Sequence, residues 1–297
     1  MARLFQSLGT GTSPAMEQTG PFDRALRRVR RDRAASRWDE ASFLQQRMAD
    51  ELLDRLDSVK REFSQALILG YVGDDFAERL AERGIETTTV DPGRLFAERS
   101  GGLQGDEDEQ LFDDGSFDLI LSCGMLDTVN DLPGALILAN RSLKPDGLFL
   151  AAFLGVGSLP VLRKAMMTAD LASGGGQPRI HPQIDVRSAG DLLSRAGFAL
   201  PVADGDRVEV KYRSFDALLF DLRGGAMSSL LGGRPLSKTG YSLAKETFEN
   251  AAEDGRTTEI FEIVYLTAWS PSPDQPKPAR RGSGGASLAD VLGKQPK

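Results

Sequence analysis

The sequence predicts an α/β fold built on a mostly parallel sheet, and three observations carry that expectation. Between the two termini, short apolar runs alternate with stretches of helical period, the pattern produced when parallel strands are joined by crossover helices. Several of those runs end in turn chemistry, at Gly70, at Asp91-Pro92-Gly93 and around Asp146-Gly147. Late in the chain, residues 208–212 and 259–268 alternate apolar and polar side chains as an antiparallel pair would.

Taken in order, residues 66–69 form the first strand, followed by a helix over 75–83 and a second strand over 87–90. Residues 117–122 make a buried strand with Asp118 near its start. An amphipathic helix over 132–143 stops at Lys144-Pro145-Asp146-Gly147, and residues 148–153 return as a strand. Helices over 159–171 and 188–195 flank a Gly-rich loop at 174–177, and Gly197 ends the second of them. A helical insertion over 213–256 separates the two alternating strands. Residues 1–20 and 271–297 are rich in small and polar residues, with prolines clustered in the tail, so the expected domain covers 21–270 between a disordered N-terminus and a flexible tail. Within that tail, residues 287–292 form a short apolar tip able to dock.

Composition narrows the function. The 36 Lys and Arg against 43 Asp and Glu leave a net charge of −7, which disfavours a nucleic-acid-coating role. One Cys and one His cannot assemble a nitrogen and sulfur metal site or an intramolecular disulfide, so no metal is expected and a reducing cytoplasm fits. No apolar run has the length of a transmembrane helix, and residues 1–20 lack a hydrophobic signal core.

The chemistry-bearing residues sit where strands should end. Gly70, Tyr71 and Gly73 follow the first strand and would let backbone approach a ligand. Asp91 closes the second strand, where a carboxylate can accept both hydroxyls of a ribose; the alternative is a turn-forming Asp-Pro-Gly. Asp106 and Glu107 lie in the next acidic loop, with Asp106 placed for an adenine amino group or simply solvated.

The motifs Asp-Gly-Ser-Phe-Asp-Leu-Ile-Leu-Ser (114–122) and Leu-Lys-Pro-Asp-Gly-Leu-Phe-Leu (143–150) resemble those of class I S-adenosylmethionine methyltransferases. Phe22-Asp23-Arg24, Val129-Asn130-Asp131-Leu132-Pro133, Arg179-Ile180-His181-Pro182, Arg195-Ala196-Gly197-Phe198 and the final strand resemble, over nearly the whole chain, the methyltransferase-like assembly factors of respiratory complex I and their alphaproteobacterial relatives. More distantly, the chain is similar to the malonyl-carrier-protein methyltransferases. The resemblance implies a Rossmann-like fold with seven strands, the final one antiparallel. It also implies S-adenosylmethionine as cofactor, held by Gly70, Tyr71, Gly73, Asp91, Asp106, Glu107 and Ser122, and a transferase acting on a protein or small acyl acceptor. The alternative is an assembly factor that has lost catalysis.

Two departures bear on that choice. Ile68 stands where the family usually has an acid at the end of the first strand, and Asp127 stands where relatives show a His near the acceptor. Asp127 is a general base only if its environment raises its pKa; otherwise it is a loop carboxylate. His181 could orient a substrate or be structural. The arginines between Arg24 and Arg33 either grip an acidic protein partner, cover the cofactor pocket, or form a solvated face paired with Asp23 and Asp32. Cys123 reads as a small core residue, and the apolar spacing of Phe215, Leu218, Leu219, Leu222 and Met227 suits either core packing or a lid over the substrate.

Overall fold

The computed structural model describes residues 20–275. The expectations for residues 1–19, for most of the tail and for the apolar tip at 287–292 therefore fall outside the described residues. In chain order the elements are α1 (Arg24–Ala35), α2 (Trp38–Ala41), α3 (Phe43–Asp57), β1 (Gln65–Leu69), α4 (Asp74–Ala81), β2 (Glu86–Asp91), α5 (Arg94–Arg99) and β3 (Leu103–Gln104). They continue with β4 (Phe117–Cys123), a 3-10 turn at Leu126–Thr128, α6 (Leu132–Ser142), β5 (Leu143–Leu154), α7 (Pro160–Ala172), α8 (Val186–Arg195), β6 (Ala199–Tyr212), α9 (Phe215–Gly224), α10 (Lys238–Glu249) and β7 (Thr257–Trp269).

The seven strands form one sheet in the order β3-β2-β1-β4-β5-β7-β6. The first five pair in parallel, while β7 runs antiparallel to both β5 and β6. This is the mixed sheet that the strand pattern predicts, with the antiparallel pair β7 and β6 at one edge and β7 alone running against the rest. β4 is buried at every position because helices cover both faces of the sheet, whereas the edge strand β6 alternates and keeps one face wet.

Helices α3, α4, α7, α9 and α10 pack Leu52, Phe76, Leu162, Phe215 and Phe248 onto one face; α6 and α8 pack Leu136 and Leu193 onto the other. Fully burying one such side chain stabilises by about 1.5–3 kcal/mol. β1 through β5 thus sit in a double-sided core that fixes where their tips lie. Leu69 pairs with both Val90 and Ser122, so the carboxyl ends of β1, β2 and β4 are level.

Two features differ from the sequence expectation. The Lys-Pro-Asp-Gly segment does not stop a helix: α6 has already ended at Ser142, and the segment begins β5, bent by Asp146 at φ +63° and by a register shift against β4. The expected insertion comprises two helices, α9 and α10, with no helix between 225 and 237.

Candidate functional site

The tips of β1 and β2 build the first half of the site. Gly70 has φ +91°, and a Cβ there would lie 2.3 Å from Met125 Cγ, so only glycine fits the turn. Beyond it, the Tyr71 amide donates to Asp91 Oδ2 at 2.9 Å and the Gly93 amide donates to Oδ1 at 2.7 Å. The Gly70 turn and Asp91 therefore meet at the strand tips as expected, but Asp91 is fully buried, and the open crevice that the nucleoside expectation requires between them is taken up by side chains. Ser122, at the tip of β4, is fully buried, and its Oγ has no hydrogen-bond partner among the described residues. Gly73 stands at the start of α4 and lines a cavity of about 290 Å³ with Ile68, Tyr71 and Arg99.

The crevice is filled by α1. Asp23 caps this helix by accepting from the Leu26 amide, and the spacing of Arg24, Arg27, Arg28 and Arg31 puts four guanidinium groups on one face. Arg31 reaches Asp91, Nη2 to Oδ2 at 2.5 Å and Nε to Oδ1 at 3.2 Å, and donates to the Tyr71 carbonyl at 3.3 Å. Its guanidinium carbon lies 4.3 Å from the ring centre of Phe96 and 5.1 Å from that of Trp38. Trp38 in turn donates to the Val72 carbonyl at 2.8 Å, and Tyr71 stacks on Phe96. An aromatic box thus closes around the charge where the ribose hydroxyls are expected.

The acidic loop is engaged in the same way. Arg27 makes a fork with Glu107, at 2.6 and 2.9 Å, and also reaches Asp106 at 3.1 Å. Arg28 bonds the other Asp106 oxygen at 2.6 Å, and Arg24 bonds Asp108 at 2.6 Å. Burial opposes the charge on Arg27, but Glu107 and then Asp106 more than offset it and hold the guanidinium above its usual range. Desolvation likewise works against Asp106, and Arg27, Arg28 and Arg24 outweigh it and keep the carboxyl low. The solvated-face reading of the arginine run is corrected here. Asp23 is a cap and Asp32 accepts from the Leu95 amide, and neither pairs with these arginines among the described residues.

The second half of the site is a larger cavity, about 750 Å³, walled by α9, α10, α7 and the far side of α1. Leu154, Leu159, Leu162 and Leu222 form its apolar floor. Asp127 and His181, the two residues offered for catalysis, both line it. Asp127 is half-buried, but its Oδ1 is enclosed and unpartnered, and burial raises its pKa to about 7. His181 Nε2 accepts from the Leu230 amide at 2.6 Å, and its ring stands edge-on to Phe22. Burial, with Arg30 and Arg27 nearby, lowers its pKa to about 4, so it is neutral near pH 7 and holds a loop in place. Cys123 is buried, and burial pushes its thiol up to about 12.

Seven of the nine candidate residues therefore gather at the strand tips and two in the adjoining cavity. Sequence reading passes over Trp38 and Phe96 as a box for Arg31, and over Arg30, Arg37 and Arg223 as cavity lining. The available signal is charge complementarity between the arginine helix and the three acids Asp91, Asp106 and Glu107, which no local pattern registers.

Known proteins agree with this architecture. A family model for a methyltransferase domain matches residues 67–151. The mitochondrial arginine-hydroxylase NDUFAF5 of Danio rerio is 33% identical over 287 residues, covering 91% of this chain and 89% of that protein. A malonyl-[acyl-carrier protein] O-methyltransferase of Laribacter hongkongensis is 29% identical, covering 84% and 90%. Among solved structures, the YcgJ protein of Bacillus subtilis superposes with a TM-score of 0.51 at 16% identity, over 75% of this chain and 99% of that one, which shows the shared fold. By its sheet order, its strand-tip residues and its similarity over almost its whole length, the chain belongs to the class I methyltransferase superfamily, in the family that contains NDUFAF5.

Proposed function

We propose that this chain is an S-adenosylmethionine-dependent transferase whose nucleoside crevice is held shut by α1 and opens when that helix withdraws. The observation that carries the reading is Asp91 at the tip of β2, sharing the Gly70 turn and occupied by Arg31. The donor set fits the cofactor in part. Asp91 presents two carboxylate oxygens for ribose hydroxyls, Asp106 lies one strand over, and the orphaned Ser122 Oγ is a buried polar atom awaiting a partner. Ile68 supplies no carboxylate for the methionine end.

When bound, the cofactor supplies an electrophilic methyl group. The chain's part is to align an acceptor in the 750 Å³ cavity, exclude water with α9 and α10, and take up the proton that the acceptor sheds. Asp127, held at about 7, is the residue placed for that proton. The acceptor class is a protein side chain or a small acyl group, and the cytoplasm is the setting that the lone Cys supports. Among the described residues no helix is long and apolar enough to cross a membrane.

A second reading is favoured by Ile68 and by the aromatic box around Arg31: a binding module for assembly of a respiratory complex, with the crevice sealed for good. Calorimetric titration of S-adenosylmethionine into the wild type, Arg31→Ala and Asp91→Ala separates the two. The transferase reading expects Arg31→Ala to bind roughly tenfold tighter than wild type, through removal of a conformational tax, and Asp91→Ala not to bind. A folded Arg31→Ala protein that gives no heat establishes the second reading.

A further inference from the structure

The cavity under α9 and α10 carries a charge that none of its own residues neutralises. Arg30, Arg33, Arg37 and Arg223 line it, and none of the four has a carboxylate within ion-pair distance among the described residues. Arg179, also on the wall, is already satisfied by Asp170 at 2.7 Å. The one acid that lines the cavity, Asp127, is raised by burial to about 7, so near neutrality it offsets about half of one positive charge against the four arginines. Crowding is evident at Arg30, whose guanidinium is pushed below its usual range by burial and then by Arg33 and Arg223. Leu154, Leu159, Leu162 and Leu222 line the same cavity and give it an apolar surface.

We infer that this cavity binds an amphiphile with an anionic head, a carboxylate or a phosphate, seated among Arg30, Arg33, Arg37 and Arg223 with its aliphatic chain on Leu154, Leu159, Leu162 and Leu222. An anion relieves the repulsion of Arg30 by Arg33 and Arg223 and gains forked hydrogen bonds that each guanidinium can offer. An aliphatic chain removes the floor from water. The same field repels a guanidinium, so an arginine side chain, the group named in the arginine-hydroxylase relatives, is the ligand this cavity disfavours. Binding stands on the cavity alone and holds whether or not the transferase reading does.

The test is calorimetry on the full-length protein with octanoate, octyl phosphate, octanol and octylguanidinium below their aggregation limits. At least one anion is expected to bind roughly tenfold or more tighter than octanol, and octylguanidinium is expected to give no binding. Whichever anion is tighter identifies the head group as carboxylate or phosphate. In Arg33→Gln/Arg223→Gln, a pair of exposed changes whose fold is checked by thermal melting, anion affinity should fall by roughly tenfold or more while octanol affinity is unchanged. Octanol matching both anions, no anion binding, or an unaffected double variant overturns the assignment. Anion binding together with no heat from S-adenosylmethionine in Arg31→Ala supports this inference and removes only the transferase reading.

Discussion

Arg31 and Asp91 should behave as a single buried unit, and a double-mutant cycle measures it. Asp91 is fully buried and accepts four hydrogen bonds, two from Arg31 and two from the amides of Tyr71 and Gly93. Removing one partner of a buried pair costs about 3–5 kcal/mol, because the other charge is left without compensation. Arg31→Ala leaves the carboxylate its two amides, which puts the cost near the lower end, about 3 kcal/mol, or a fall in melting temperature of roughly 6–12 °C for a domain this size. Asp91→Ala leaves Arg31 only the Tyr71 carbonyl and two aromatic faces, so its cost lies near the upper end. The double variant removes both orphaned charges and should be more stable than the sum predicts, with a coupling of roughly 2–3 kcal/mol. Urea unfolding followed by tryptophan fluorescence suits the question because Trp38 packs on Arg31 and reports its undocking. Single variants each costing less than about 1 kcal/mol, with additive effects, would refute a buried pair and place Arg31 in solvent.

Other perturbations follow from the same geometry. Asp127 has a folded pKa of about 7, above its unfolded value, so its contribution is complete in acid and is lost as pH rises through 7. Asp127→Asn should therefore gain on the wild type between pH 5 and pH 8, by about 1–2 kcal/mol after discounting for partial exposure, and a flat difference in denaturation midpoints would remove Asp127 as a buried acid. His181 is shifted the other way, to about 4, so its contribution is present above its unfolded value and declines as pH falls toward 4. His181→Gln keeps an acceptor for the Leu230 amide and should flatten that acid limb in melting curves. Gly70→Ala forces Cβ against Met125 at a left-handed φ and should cost about 2 kcal/mol or more in chemical denaturation. Glu259 is fully buried and accepts from the amides of Val161 and Leu162 at the start of α7 and of its neighbour Ile260 in β7, so Glu259→Ala should cost about 2–4 kcal/mol, measured in the same way.

Much of the sheet is legible in the sequence because buried parallel strands write themselves as apolar runs. Residues 66–69, 87–90 and 117–122 fall inside β1, β2 and β4, and the late alternating runs form β6 and β7. β3, a strand of two residues, and α5, a helix of six, are too short to leave a period, and the sequence expectation contains neither. α3 is a different case: Leu44, Met48, Leu52 and Leu56 repeat at helical spacing, a stripe that specifies a helix, yet the sequence expectation contains no element there. At the site, Asp91 and Gly70 are legible because their chemistry depends on where a strand ends. The partner of Asp91 is not, because Arg31 lies 60 residues away in sequence and only the fold brings it to the tip of β2. A pKa depends on enclosure in the same way, which is why the choice between general base and loop carboxylate for Asp127 turns on how Leu126 and its neighbours pack around it.

On the proposed readings of crevice and cavity, the position of α1 between them sets cofactor and anion against each other. Arg27 and Arg31 point into the nucleoside crevice, while Arg30 and Arg33 on the adjoining face line the cavity, and Arg37 follows at the start of α2. Withdrawal of the helix, which frees Asp91 and Asp106, also removes Arg30 and Arg33 from the cavity. An anion bound in the cavity therefore stabilises the docked helix and opposes opening of the crevice. Such coupling is reciprocal and typically amounts to about 1–3 kcal/mol, or roughly 5–150-fold in affinity. Saturating octyl phosphate should then weaken S-adenosylmethionine binding to the wild type by a factor in that range, and S-adenosylmethionine should weaken octyl phosphate binding by the same factor. In Arg31→Ala, where the helix no longer seals Asp91, the factor should fall toward unity. Equal affinities with and without the second ligand in the wild type would show that α1 moves as two independent faces, and the competition would not exist.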